Sequence, residues 1–283
     1  MEIFRPKGAV FMPAFFAHKA FGEEVIAYLP PSFQENIKKH SQAFELGTQG
    51  PDVLFYHKPF SQNDVKKKGM DMHLRSAKEF FVETAKKIAK EQNDEPFSSA
   101  LGAYVAGFIC HFCLDNACHP HIYVLEAQGV SHGRIESEFD KYLKRRLNLP
   151  VHQNAAKRLT KKYGVMEAVG QTLEVDDKAV KRSIKTMRSI NGLFSSKSRA
   201  FHKLAHAVLK KMGAEEKFGG MFLHFDNHPK CDRLNPVLED KLKSARAGTA
   251  EIIEKYFELV KANSFDDELF EVFDKDYKGE SLL

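Results

Sequence analysis

Apolar positions along most of the chain return every three to four residues, and runs that alternate in twos are few. Phe21, Val25 and Leu29 in HKAFGEEVIAYL keep the helical period, as do Phe33, Ile37 and Phe44 in FQENIKKHSQAFEL, with Pro30-Pro31 between them. The next segment, GTQGPDVLFYHKPF over 47–60, holds two glycines and two prolines and reads as a loop carrying Asp52 and His57. Helical spacing resumes over 71–92, 98–118, 131–147 and 154–173, then over 176–193, 196–212, 237–259 and 266–273. Pro120 should end the helix of 98–118, because a residue before proline is biased away from the helical region. The pattern predicts an all-α fold, a compact multi-helix bundle with residues 1–283 in a single domain and no internal repeat.

Composition narrows this picture only slightly. With 43% hydrophobic and 29% charged residues in 283, the chain can bury a sizeable core and is not a disordered polymer. The net charge of +5, from 43 basic and 38 acidic residues, reads as a mild excess spread along the chain; it permits a nucleic-acid partner without indicating one. Lys141, Lys144 and Arg145 are expected on the solvated face of a helix. No run reaches the ~18 uninterrupted apolar residues of a membrane span. The longest, ALGAYVAGFICHFCL over 100–114, is broken by His111. Four cysteines are too few for a disulfide scaffold, so reduced thiols and a cytoplasmic location are expected. Arg5 and Lys7 ahead of GAVFMPAFFA imitate a short signal peptide, but Glu2 and Pro13 argue against cleavage.

The chemistry gathers in CHFCLDNACHPH, residues 110–121. At about 100° per residue, His111 and Asp115 share one helix face, flanked by Cys118 and His119. Cys110 and Cys113 fall elsewhere and read as packing, while His121 lies past the proline. A second i, i+4 pair, His132 and Glu136, stands in HGRIE behind a favourable N-cap, Ser131. Imidazole nitrogen and carboxylate oxygen are donors that zinc accepts, and a turn between the pairs would let both faces look into one cavity. His202 and His206 also stand four apart but have no associated carboxylate, and His224, Asp226 and His228 read as packing or rim contacts.

These segments resemble the zinc-dependent phospholipase C family, which is related in fold to the single-strand-specific zinc nucleases. The resemblance is carried by His18, LGTQGPDVLFY over 46–56, GMDMH ending at His73, GFICHFCLDNACHP over 107–120, and HGRIE over 132–136. It covers the first half of the chain in the family's order, dividing a metal-site half, 1–150, from a helical remainder, 151–283. The resemblance implies Asp52, His73, His111 and Asp115 as ligands of one Zn2+, with Asp115 bridging to a neighbour. It implies His132, Glu136 and either His119 or His121 for a second, the HP pattern favouring His119. A third position would draw on His18 and Asp115. The secreted relatives complete it with an N-terminal tryptophan, and this chain has no tryptophan, so two ions are expected firmly and the third is incomplete. Asp52 is implied as a catalytic carboxylate too. The expected activity is hydrolysis of a phospholipid or related phosphodiester, with transient contact at a membrane surface. A nuclease acting on single-stranded nucleic acid, or a non-catalytic metal protein, is the alternative.

Overall fold

Twelve α-helices and no strand occur among the described residues, 15–91, 96–160, 162–266 and 268–277 of a computed structural model. The signal-like stretch before Phe15 lies outside them. The helices are α1 (Phe15–Ile26), α2 (Pro31–Lys39), α3 (Ser41–Gly47), α4 (Asp64–Leu74), α5 (Lys78–Ala89), α6 (Ala100–Glu126) and α7 (His132–Arg146). They continue with α8 (Tyr163–Leu173), α9 (Asp177–Phe194), α10 (Arg199–Lys211), α11 (Glu215–Phe218) and α12 (Pro229–Ala262). Several starts are fixed by side chains that accept a free backbone N–H: Asn63 before α4, Ser99 before α6, Asp176 before α9 and Ser198 before α10.

Periodicity located the helices but not all their ends. The single helix expected over 71–92 is two, α4 and α5, because the chain turns extended at Arg75. The expected loop over 47–60 contains a buried 3-10 helix, Gly50–Tyr56. In place of one helix over 154–173 there is a 3-10 turn, Ala155–Arg158, followed by α8, and the expected 266–273 helix is a 3-10 stretch, Glu268–Phe273. The helix expected over 237–259 begins earlier, at Pro229, and runs through Pro236.

The largest correction concerns Pro120, which does not end its helix: α6 continues six residues further, to Glu126. A proline inside a helix costs about 3 kcal/mol through its missing N–H and its clash with the carbonyl four residues back. Burial of Ile122 and Leu125 beyond the proline offsets this, at roughly 1.5–3 kcal/mol for each aliphatic side chain. The side chain of His119 is also tied to the backbone of Tyr277. Buried residues occupy every face of α6, so it is the central helix, packed by α1, α3, α7, α8 and α12. By length and hydropathy α6 would suffice to cross a membrane, but 83% of its most apolar window is buried inside the protein.

Lys141 and Lys144 are not on a solvated face. Lys141 is 2% exposed and pairs with buried Glu138 at 2.8 Å, while Lys144 donates to the carbonyls of Val151 and Gln153. The helical period placed them correctly on one side of α7, but that side is covered by the 148–154 and 222–227 connections. All four cysteines are free thiols and three are fully buried; burial pushes each thiol up and keeps it neutral.

Close contact between α3 and α6 sets the position of the central helix. A Cβ on Gly107 would lie 2.3 Å from the Phe44 carbonyl oxygen, and one on Gly47 would lie 2.0 Å from that of Tyr104. Backbone, not a flexible side chain, blocks both. Gly107→Ala is therefore expected to lower stability by about 1–3 kcal/mol, read as a lower thermal midpoint. An unchanged midpoint would contradict this packing.

Candidate metal centre

Five imidazoles and three carboxylates from five elements converge beside α6. His111, Asp115 and His119 stand at i, i+4 and i+8 along it, each step advancing about 40° around the helix, so all three face the same way. This alignment holds because α6 stays helical through His119, next to Pro120, where the expected helix had already ended. His121 falls on another side, partly exposed, and joins none of the donor groups described below.

Asp115 lies at the centre. Its Oδ1 is 3.3 Å from His18 Nε2 and 3.7 Å from His119 Nε2, and its Oδ2 is 3.1 Å from His111 Nε2. On one flank, Asp52 approaches His73 Nε2 at 2.9 Å and His111 Nε2 at 3.6 Å. On the other, Glu136 Oε1 lies 3.2 Å from His132 Nε2 and 3.9 Å from His119 Nε2. In each of three sets the donor atoms lie within 4.8 Å of one another: His18, His111 and Asp115; Asp52, His73 and His111; and His119, His132 and Glu136. No cysteine belongs to them, nor do His202, His206, His224 or His228. His206 instead meets Glu215 at 2.7 Å, and His202 Nε2 donates to the Ser196 carbonyl at 3.0 Å.

Local backbone explains each placement. Gly50 has φ +49°, a left-handed conformation that glycine adopts freely, and a Cβ there would come within 2.3 Å of the His111 ring. The 3-10 turn can therefore pass against the imidazole and deliver Asp52 beside it. His18 is set by Asp140 of α7, whose carboxylate accepts from the first-turn amides of α1, Phe16 at 3.0 Å and Ala17 at 2.7 Å.

An outer layer fixes the rings. Nδ1 donates to the Gly69 carbonyl in His73 (2.7 Å), to the Thr48 carbonyl in His111 (3.2 Å) and to the Tyr277 carbonyl in His119 (2.6 Å). His132 Nδ1 lies 3.3 Å from Glu126 Oε2. Each bond leaves Nε2 facing the cluster, the tautomer a metal requires. His18 differs, since its Nδ1 is buried without a hydrogen-bond partner. Tyr277 also lays its ring against His73, at 5.1 Å, and His111, at 5.8 Å. The helical remainder thus reaches into the metal-site half. Tyr277, Glu126 and Asp140 escaped sequence reading because they lie across long separations or turns that carry no periodic signal.

The donor set fits a cation. Asp52 Oδ1 and His111 Nε2 are buried and lack aligned hydrogen bonds despite close neighbours of opposite character, as expected of atoms aimed at a shared ion. Without one, three buried carboxylates are costly and protons take over the balancing. Burial disfavours a charged His111, but Asp115 and Asp52 outweigh it and raise its pKa to about 9. Burial likewise opposes charge on His132, and Glu136 with Glu126 raises it to about 10. Burial disfavours the carboxylate forms as well, yet their histidines hold Asp115 well below the usual range and bring Glu136 down to about 2. His18 stays neutral, lowered to about 4 by burial and by His111.

Fold and site together define an all-α protein with a buried cluster of imidazole and carboxylate donors able to hold a metal. The chain belongs to the zinc-dependent phospholipase C family: the family model described as Zinc dependent phospholipase C matches residues 17–189, which include every residue of the cluster. No curated protein and no solved structure matches the chain.

The raised histidines make zinc uptake a proton release. At pH 7 the metal-free protein carries protons on His111 and His132 that a cation must displace, and His119, against its burial, is raised as well by Asp115 and Glu136, so zinc titration should free about two protons per chain or more, read by calorimetry in buffers of different ionisation enthalpy. Because both pKa values are raised above the ordinary 6.5, the same contacts stabilise the metal-free fold fully below that value. They are lost as pH climbs through about 9 and about 10. Uptake without proton release would contradict the geometry.

Proposed function

We propose that this chain hydrolyses a phosphodiester of phospholipid type at the cluster around Asp115, with two zinc ions. Asp52, His73, His111 and Asp115 are assigned to one ion, and His119, His132 and Glu136 to the other. Charge supports the count: three carboxylates against two divalent ions leave one positive charge, which a phosphodiester monoanion cancels. The third position, with His18 and Asp115, has the one ring that no second acceptor orients, and we assign it no firmly held ion.

Zinc, when bound, lowers the pKa of water and polarises phosphoryl oxygens. The remaining work falls to the chain. The outer-layer carbonyls hold each Nε2 in place, so little reorganisation is needed when the phosphate enters. Entry is assigned to the side of His119, His132 and Glu136, each 7% exposed, rather than to His111 and Asp52 at 1% and 2%. Asp52 is assigned to orient the attacking water and take its proton. The water oxygen forms the new bond to phosphorus, the ester bond to glycerol oxygen breaks, and a proton ends on the leaving alcohol. Diacylglycerol and a phosphorylated head group are the products. The single observation that supports this reading most is the convergence of the Nε2 atoms on three carboxylates, with the opposite ring nitrogens of His73, His111, His119 and His132 anchored.

A screen of the zinc-loaded protein against phosphatidylcholine, a water-soluble choline phosphodiester and single-stranded DNA tests it. Hydrolysis of the first two is expected, with Asp52→Asn slower by about 100-fold or more at preserved folding. Cleavage of DNA alone would replace the reading with that of a nuclease. A folded zinc protein inert toward all three would leave the cluster a structural role.

A further inference from the structure

Ten of the 43 basic residues fall between Lys178 and Lys211, and no aspartate or glutamate interrupts them. With an overall excess of only +5, the rest of the chain is net acidic. The positive charge is therefore concentrated in α9, α10 and their connection, not spread evenly as the totals implied. Lys178, Lys181, Arg182 and Lys185 are exposed on α9, and Arg199, Lys203, Lys210 and Lys211 on α10. None of these forms an ion pair among the described residues. Arg199 instead lies over the Phe225 ring, 4.6 Å from its centroid.

The solvent side of α10 carries a second feature. His202 and Leu209 are buried and Phe201 and Ala205 pack on the core, which seats the helix along one side. Leu204, Val208 and the capping Met212 are left outward at i, i+4 and i+8, with exposures of 65%, 47% and 62%. At about 100° per residue, Arg199, Lys203 and Lys210 fall within an arc of about 40° on the side away from that aliphatic stripe, and Lys211 falls between the arc and the stripe. An exposed helix with an unpartnered aliphatic stripe, a basic face turned from it and no acidic residue has the make-up of one that lies in a lipid interface.

We propose that α10 docks the protein on an anionic phospholipid surface. Leu204, Val208 and Met212 enter the boundary of the acyl chains, and Arg199, Lys203, Lys210 and Lys211 rest on the phosphates. The charge of α9 adds longer-range attraction. Arg199 and Lys203 also wall a cavity of about 440 Å³ with Arg134, His206 and His224, in which Asp226 is the one lining carboxylate among the described residues. Its charge suits a head-group phosphate. A nucleic acid accounts for the basic residues but not for the aliphatic stripe, and α10 exposes no aromatic ring on which a base could stack. The proposal deepens the phospholipid reading of the metal centre and rests on it for the class of surface, while its geometry stands on α9 and α10 alone.

Sedimentation of the zinc-loaded full chain in the cold with vesicles of mixed phosphatidylglycerol and phosphatidylcholine, and with pure phosphatidylcholine vesicles, reads the docking. Binding to the mixed vesicles should exceed binding to the neutral ones and fall as salt is added. Leu204→Ser with Val208→Ser, and separately Lys203→Glu with Lys210→Glu, should each weaken it by about tenfold or more. Both pairs are exposed, so hydrolysis of a water-soluble phosphodiester should stay at the unmodified level. Vesicle binding that survives both double substitutions overturns the docking surface, as does retention of the protein by single-stranded DNA but not by vesicles. Either result leaves the activity of the metal centre standing. Vesicle binding that is lost in both variants, from a protein that hydrolyses no phosphodiester, would uphold the surface and fail the activity instead.

Discussion

A single carboxylate holds the centre together. Asp115 touches His18 of α1 and, from its own helix, His111 and His119, one turn before it and one turn after. Its 4% exposure makes an unbalanced charge there expensive, so the surrounding imidazoles must either carry protons or share a cation with it. The rest of the site follows from that constraint. Asp52 and His73 attach through His111, and His132 and Glu136 attach through His119. If α6 unwound in the turn ahead of Pro120, His119 would leave the row and the two halves of the cluster would separate.

Continuity of α6 through Pro120 is maintained from outside it. Two glycine contacts seat the helix against α3, and the apolar residues past the proline are buried on their own account. The Tyr277 carbonyl holds His119 from near the chain's other end, while the Tyr277 ring lies against His73 and His111. Sequence segments far outside the motifs therefore serve the same centre. Four of the five ring orientations, all but that of His18, are set by a backbone or carboxylate acceptor rather than by the carboxylates they face, which leaves the inward nitrogens available to a ligand.

Much of this was legible in the residues. The helical period alone placed His111 with Asp115 and His132 with Glu136, because four residues make slightly more than one turn. His18, Asp52 and His73 were legible only through resemblance of their segments to a family, since nothing periodic links three separate elements. The choice between His119 and His121 rested on the family's spacing; the structure groups His119 with His132 and Glu136. That Pro120 should end the helix was a local rule, which tertiary burial overrides here. Lys141 and Lys144 were misplaced for a related reason: periodicity gives the face of a helix but not what later covers it. Glu126, Asp140 and Tyr277 act through contacts that spacing does not encode.

The cysteines offer the sharpest contrast with the proposed ligand set. Cys110, Cys113 and Cys118 sit within the same helix as three of the donors, yet none joins the cluster, and burial keeps their thiols protonated. X-ray absorption at the zinc edge of the zinc-loaded protein tests this most directly. The account predicts a first shell of nitrogen and oxygen alone, at about 2.0–2.2 Å. A sulfur shell near ~2.3 Å, or a protein that retains no zinc, would contradict it.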